Sequence, residues 1–283
     1  MFLKNFWYSY KNILINELDK KDYPAFIRKI FGSLYKFILK FLRYYSSNKI
    51  INLDKTDLPR KNLSLDELFV HYNCDKGSSS IWEGKKISTH NYSVYYEKYL
   101  SHLRQKKIQI LEIGSHEGKG IASFYFYFPF SKIIGANINP FQMKFKSKRI
   151  TELFVDVTSE KVLTNLSNFI PKQDVIIDDA SHNLRDILIT FSRLFKNLKS
   201  GGIYIIEDMD QFNTFKELNP YTNEITPMQI LKRIQNKENF GSSFISKEEE
   251  KFLLDNIKEV KIEKGTMKME GNNISDIAFI YKK

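Results

Sequence analysis

Ile108-Gln-Ile-Leu-Glu112-Ile-Gly114-Ser-His116-Glu-Gly118-Lys-Gly120 is a short apolar run that closes in a glycine-rich turn. A run of this length bounded by a turn reads as a buried strand of a parallel sheet. Glycines placed after it let the backbone approach a ligand at the start of a helix. Outward from this stretch the same pattern recurs. Lys132–Ile138 gives a second run, Glu152–Val155 a weaker third, Asp174–Ile177 a fourth and Ile203–Ile206 a fifth. Between the last two, Leu184 to Leu198 carries Ile187, Leu188, Phe191, Leu194 and Phe195 at helical spacing, and Gly201-Gly202 is expected to end that helix. Val260–Lys264 and Ile274–Tyr281 read as two late strands paired through the Gly271-Asn272-Asn273 turn. Strands alternating with helices predict an α/β fold, a Rossmann-like, doubly wound, mostly parallel sheet with helices on both faces.

The chain has 283 residues, 42% hydrophobic and 27% charged, which suits a folded protein and argues against wholesale disorder. Cys74 is the single cysteine, so neither an internal disulfide framework nor a cysteine-based zinc cluster is available. No apolar run approaches the roughly 18 residues of a membrane-spanning helix. The N-terminus lacks the apolar core and small-residue cleavage site of a secretory signal, so the cytoplasm is the expected compartment.

Net charge is +11, and residues 1–49, with ten Lys and Arg against Glu17, Asp19 and Asp22, supply +7 of it. Within this N-terminal extension, Phe26 to Tyr45 reads as an amphipathic helix. Ile27, Ile30, Phe31, Leu34, Ile38, Phe41, Leu42 and Tyr45 form its apolar stripe, with Lys29, Lys36, Lys40 and Arg43 opposite. Packing on the protein or on a second subunit of a homo-oligomer is the expected role. Peripheral contact with the inner face of a membrane through residues 26–45 is the alternative. Residues 46–62 read as a linker, which divides the chain into an arm and linker (1–62) and an α/β domain (63–283).

In an open α/β sheet, ligands bind beyond the carboxyl ends of the strands. Three clusters lie there: Glu112 to Gly120; Asp178-Asp179-Ala-Ser-His182; and Glu207-Asp208-Met-Asp210. Asp178, Asp179, Glu207 and Asp208 at neighbouring strand ends would repel one another unless protonated or bridged by a cation. Oxygen ligands favour a hard ion such as Mg²⁺ over zinc. His182, three residues from a candidate ligand, is suited to accepting a proton at neutral pH.

The Glu112–Gly120 spacing is not that of a dinucleotide site but resembles the ExGxxxGxG turn of class I S-adenosylmethionine-dependent methyltransferases. Asp174-Val-Ile-Ile-Asp-Asp-Ala-Ser-His182, followed by a helix and Gly201-Gly-Ile-Tyr-Ile-Ile-Glu-Asp208, resembles the metal-dependent sugar O-methyltransferases of macrolide biosynthesis and the cephalosporin hydroxylase-type proteins of the same fold. The resemblance runs from about residue 70 to 280. It takes in Cys74-Asp-Lys-Gly77, with Cys74 where threonine is usual, and His90-Asn-Tyr92 with Tyr95-Tyr96.

It implies a class I methyltransferase with S-adenosylmethionine and Mg²⁺ as cofactors, transferring a methyl group to a hydroxyl of a sugar on a natural product or a surface glycan. Asp179, Glu207 and Asp208 are then the metal ligands and His182 the general base. The cofactor set is Glu112, Gly114, Ser115, His116, Gly118, Gly120, Asn137, Asp156 and Asp178. Asn137 stands where the family has an acid for the cofactor ribose, and Asp210-Gln-Phe-Asn replaces a His-Thr-Ser-Tyr stretch. A catechol acceptor would suit the same metal geometry. A nucleic-acid acceptor fits less well, because DDASH stands where amino-methylating enzymes carry an Asn/Asp-Pro-Pro-aromatic motif.

Overall fold

Each apolar run of the sequence becomes a strand because the intervening helices cover both of its faces. The computed structural model describes residues 2–19, 35, 38–39, 42, 50–56, 63–209, 211–221, 223–269 and 271–283. Helix α1 (Phe2–Asp19) opens the chain, and α2 (Leu65–His71) and α3 (Ser93–Leu100) bracket a small hairpin of Ser80–Trp82 with Lys85–Ile87. There follow β1 (Gln109–Ile113), α4 (Lys119–Tyr127), β2 (Lys132–Asn137), β3 (Ile150–Phe154) and α5 (Glu160–Phe169). The chain returns through β4 (Gln173–Asp178), α6 (Leu184–Leu194) and β5 (Leu198–Ile206). After a helical turn at Gln211–Thr214 come α7 (Pro227–Gln235), α8 (Lys247–Asn256), β6 (Ile257–Lys264) and β7 (Asp276–Lys282).

The seven strands lie in the order β3-β2-β1-β4-β5-β7-β6. The first five are parallel, whereas β7 runs antiparallel to β5 and β6 antiparallel to β7. Burial alternates along the strands with period two. Leu111, Ile113, Ile176, Tyr204, Ile206 and Ile280 face a core closed by α5 to α8. Ile110, Val175, Ile177, Ile203, Ile205 and Phe279 face a second core closed by α2, α3 and α4. Side-chain caps fix where helices begin: Ser64 with Glu67, Thr226 with Gln229 and Ser246 with Glu249 form capping boxes for α2, α7 and α8. The chain order reverses between β1 and β4, and such a switch point opens a crevice at the carboxyl ends of the strands.

The late strands pair as the sequence predicts, with Val260 opposite Ile280 and Lys264 opposite Asp276. Three expectations need correction. The helix expected to reach Leu198 stops at Leu194 and a 3-10 turn, Phe195–Asn197, follows it. Gly201-Gly202 does not terminate that helix but lies inside β5, near a register shift against β4 between Gln173 and Val175. Gly201 there adopts a left-handed φ of +73°. Part of the 46–62 linker is docked: Ile51–Asn52 pairs with Phe145–Lys146, Leu53 is buried, and Asp54 accepts hydrogen bonds from Tyr125, Ser147 and Lys148. The helix expected over 26–45 falls, apart from isolated positions, outside the described residues. Among the described residues, no helix is long and apolar enough to cross a membrane.

Candidate active site

The carboxyl ends of β1 and β4 press together. The Asp179 N–H donates to the Ile113 carbonyl at 2.9 Å. Gly114 has φ +86°, and a Cβ there would lie 1.8 Å from the Asp179 carbonyl oxygen, so only glycine fits. Beyond this contact the carboxyl groups of Glu112, Asp178, Asp179, Glu207 and Asp208 gather.

Lys76 sits among them, 3% exposed. Its ammonium donates to Asp179 Oδ2 at 2.5 Å and Glu207 Oε2 at 2.6 Å, and lies 3.7 Å from Glu112 Oε1. The second oxygen of Glu207 accepts a hydrogen bond from the Tyr96 hydroxyl. Burial opposes the charge on Lys76, but the three carboxylates outweigh it and hold its pKa well above the usual lysine value. The acids show the crowding. Burial, with Asp179 alongside, raises Glu207 to about 8 and Glu112 to about 7 against the pull of Lys76. Burial raises Asp178 to about 8, although the Tyr204 hydroxyl donates to it at 3.2 Å.

On the other side, Asp208 Oδ1 accepts from the Tyr92 hydroxyl at 2.5 Å and lies 3.0 Å from His90 Nδ1. Burial disfavours the charged form of both partners. Their attraction prevails, holding Asp208 below the ordinary carboxylate value and raising His90 to about 9. His182 Nε2 is 3.8 Å from Asp179 Oδ1 and 4.0 Å from Asp208 Oδ2. Asp179, His182 and Asp208 thus each offer a ligand atom, all within 4.8 Å of one another. His182 and Asp208 have φ of +56° and +53°. Left-handed backbone costs a non-glycine residue about 1–2 kcal/mol, and such strain concentrates at functional sites.

A cavity of about 480 Å³ opens beside the acids, a volume typical of small-molecule sites. It runs from Lys76, Glu112 and Gly114 past Asn137 to Asp156 and Thr158, along the ends of β1, β2 and β3 in turn. Two of its lining side chains carry buried atoms with no hydrogen bond within the chain, Glu112 Oε2 and Ser115 Oγ. A buried polar atom without a partner costs about 1–3 kcal/mol, so such atoms facing a cavity mark where a polar ligand belongs.

No protein-family profile matches the chain. It is 27% identical over 131 residues to the 8-demethyl-8-alpha-L-rhamnosyl tetracenomycin-C 2'-O-methyltransferase of Streptomyces olivaceus, covering 44% of this chain and 34% of that protein. It is also 27% identical over 175 residues to the L-olivosyl-oleandolide 3-O-methyltransferase of Streptomyces antibioticus, covering 58% and 40%. The chain therefore spans 34% to 40% of the length of these relatives. The MycE methyltransferase of the mycinamycin biosynthetic pathway, solved in complex with Mg, SAH and mycinamycin VI, superposes with a TM-score of 0.58. The match has 21% identity and covers 79% of this chain and 55% of that one. The fold is that of the class I methyltransferases. In sequence the chain resembles the sugar O-methyltransferases of macrolide and tetracenomycin glycosides.

On this methyltransferase fold, seven of the nine expected cofactor positions line the cavity: Glu112, Gly114, Ser115, His116, Gly120, Asn137 and Asp156. Gly118 instead packs on Met143 in the turn behind it, and Asp178 is buried against Tyr204. Of the expected metal ligands, Asp179 and Asp208 meet in the compact group. Glu207 is held by Lys76 and Tyr96, and the expected base His182 completes the group in its place. Lys76 and His90 have no role in the sequence reading beyond their motif segments. What brings them here is the loop after α2, where the His90 and Ser93 N–H groups donate to the carbonyls of Asp75 and Lys76.

Proposed function

We propose that the chain is a Mg²⁺-dependent O-methyltransferase that moves a methyl group from S-adenosylmethionine to a hydroxyl of a sugar, on a natural-product glycoside or a surface glycan. The observation that carries this reading is a cavity whose lining holds two unpartnered polar atoms at one side and, at the ends of the strands, Asp179, the member of the Asp179–His182–Asp208 group that reaches its wall. Likeness to named sugar O-methyltransferases supports the acceptor class. Within this reading residues 63–283 are the methyltransferase domain and 1–62 an arm. Residues 26–45 of that arm are assigned to packing on the protein or a partner subunit, with contact at the inner face of a membrane as the alternative, and the compartment is the cytoplasm.

The residues present fit both groups. Glu112 Oε2 can accept from the amino group of the methionine end, and Ser115 Oγ can serve its carboxylate. Asn137 and Asp156 line the cavity at the ends of β2 and β3, where Asn137 would meet the ribose and Asp156 the adenine. S-adenosylmethionine supplies an electrophilic methyl on sulfur. Five carboxyl groups gathered at neighbouring strand ends, with Glu112 and Glu207 driven toward protonation by burial despite Lys76, suit a hard divalent cation. Asp179 and Asp208 would hold it, with Glu207 fixed beside them by Lys76 and Tyr96. Magnesium supplies Lewis acidity and a template for two neighbouring hydroxyls.

The imidazole of His182 is a poor ligand for so hard an ion. Its Nε2, between Asp179 and Asp208, takes the proton that the acceptor hydroxyl gives up as it attacks. His90 and Tyr92 orient Asp208, and Tyr96 and Lys76 orient Glu207, so the acids are fixed before substrates arrive.

The test is transfer of labelled methyl from S-adenosylmethionine to a panel of deoxysugar glycosides and catechols, with Mg²⁺ and with chelator. Transfer to the glycosides, abolished by chelation and slowed about 10²–10⁴-fold in His182→Ala with residual activity that climbs with pH, is expected. Transfer that ignores the chelator, transfer to catechols alone, or an unimpaired His182→Ala would overturn the reading.

A further inference from the structure

We infer that helix α1 is part of the cofactor site and that Asn16 is a positioning residue for the adenine-binding carboxylate. The inference rests on the assignment of Asp156 to the adenine end. Asn16 Nδ2 donates to Asp156 Oδ2 at 2.7 Å, across 140 residues of sequence. Asp156 is 6% exposed, and its Oδ1 already accepts from the backbone N–H of Thr158 at 3.0 Å and from the Thr158 hydroxyl at 2.6 Å. Each carboxylate oxygen has two acceptor positions. Oδ1 is therefore filled, and Oδ2, with Asn16 in one position, keeps one for a ligand. The Asn16 bond fixes the rotation of the carboxylate and so the direction of that last acceptor.

The helix is docked so as to deliver this bond. The N–H of Phe154, at the end of edge strand β3, donates to Ser9 Oγ at 3.1 Å. Asn12 is 1% exposed, donates to the Tyr8 carbonyl at 2.9 Å and accepts from Asn165 Nδ2 at 2.8 Å. Tyr8 stacks on Phe169 at 4.2 Å between ring centroids. Ser9, Asn12 and Asn16 follow one face of α1. Three polar contacts and one ring stack set the register of the helix against β3 and α5, and the contact nearest its C-terminal end reaches the cavity wall.

An acceptor aimed at adenine tells its exocyclic amine from the carbonyl oxygen that hypoxanthine carries at that atom, because two acceptors would face each other. Loss of aim should therefore weaken affinity and blunt this discrimination together. The experiment is calorimetry of the full chain with S-adenosylhomocysteine and with S-inosylhomocysteine. Asn16→Ala should weaken S-adenosylhomocysteine binding about tenfold and leave S-inosylhomocysteine binding nearly unchanged, which narrows the preference between them. Asn16→Asp, which keeps the size but offers no donor, should do at least as much. Asn165→Ala, which removes one docking contact of the helix but leaves the Asn16–Asp156 bond itself, should cost clearly less of this preference than either Asn16 variant.

If Asn16→Ala unfolds, Asn16→Asp carries the test. Full retention of adenine preference in a folded Asn16 variant would overturn the inference, as would an equal loss of preference in Asn165→Ala. Failure of the unmodified chain to bind S-adenosylhomocysteine would overturn the proposed function itself, a separate result.

Discussion

At the β1–β4 end of the cavity the carboxylates of Glu112, Asp179 and Glu207 share one ammonium, whereas at the β2–β3 end Asn137 and Asp156 are each held by neutral partners. Asn137 Nδ2 donates toward Gln142 Oε1 at 3.1 Å and the carbonyls of Asn139 and His116 at 3.3 and 3.4 Å. Asp156 is fixed by Thr158 and Asn16. One end buries several acids around a single ammonium, and burial pushes Glu112 and Glu207 toward protonation. The other is locally satisfied and pre-oriented. The first arrangement suits a site that recruits a cation, the second one that reads the shape and hydrogen-bond pattern of a neutral group.

The comparison breaks most visibly at Lys76. Removing one partner of a buried ionic cluster leaves uncompensated charge, at a cost of about 3–5 kcal/mol. Lys76→Met should lose that much stability in denaturant unfolding, and millimolar Mg²⁺ should return part of it, since a ligand of the native state stabilises by mass action. Unchanged stability without added cation would mean that the acids there do not depend on the ammonium.

A smaller effect is expected at Asn137. The methyltransferases that the sequence resembles carry an acid at this position, yet here a carboxylate would replace a donor that three oxygens surround. Asn137→Asp should destabilise the chain by about 1–3 kcal/mol in the same measurement. A neutral or stabilising result would show that the 137–142 turn adjusts freely, and that the β2–β3 end is less fixed than its hydrogen bonds indicate.

The sheet was largely legible in the sequence because buried parallel strands carry near-continuous apolar runs, as in Ile108–Ile113 and Asp174–Ile177. The acids at strand ends were legible for the same reason, since position after a strand places them. Helix α1 was not. Its inward face mixes Ser9, Asn12 and Asn16 with Tyr8, Ile13 and Ile15, so no clean apolar stripe marks it. Lys76 was visible only as part of a motif. A buried lysine looks like any other until the loop after α2 folds over β4 and β5, more than a hundred residues later in the chain. The place of Glu207 depends on that same lysine and on Tyr96, contacts between segments that no local pattern encodes.

The most direct test of the account is whether the crowded end binds one divalent cation. Mn²⁺, whose spectrum changes on leaving water, can be titrated into the purified chain and followed by electron paramagnetic resonance. One saturable ion per chain, displaced by Mg²⁺, lost in Asp208→Asn and retained in Asp156→Asn, is the expected result. No saturable ion in the unmodified chain, or an ion that survives Asp208→Asn, would contradict it.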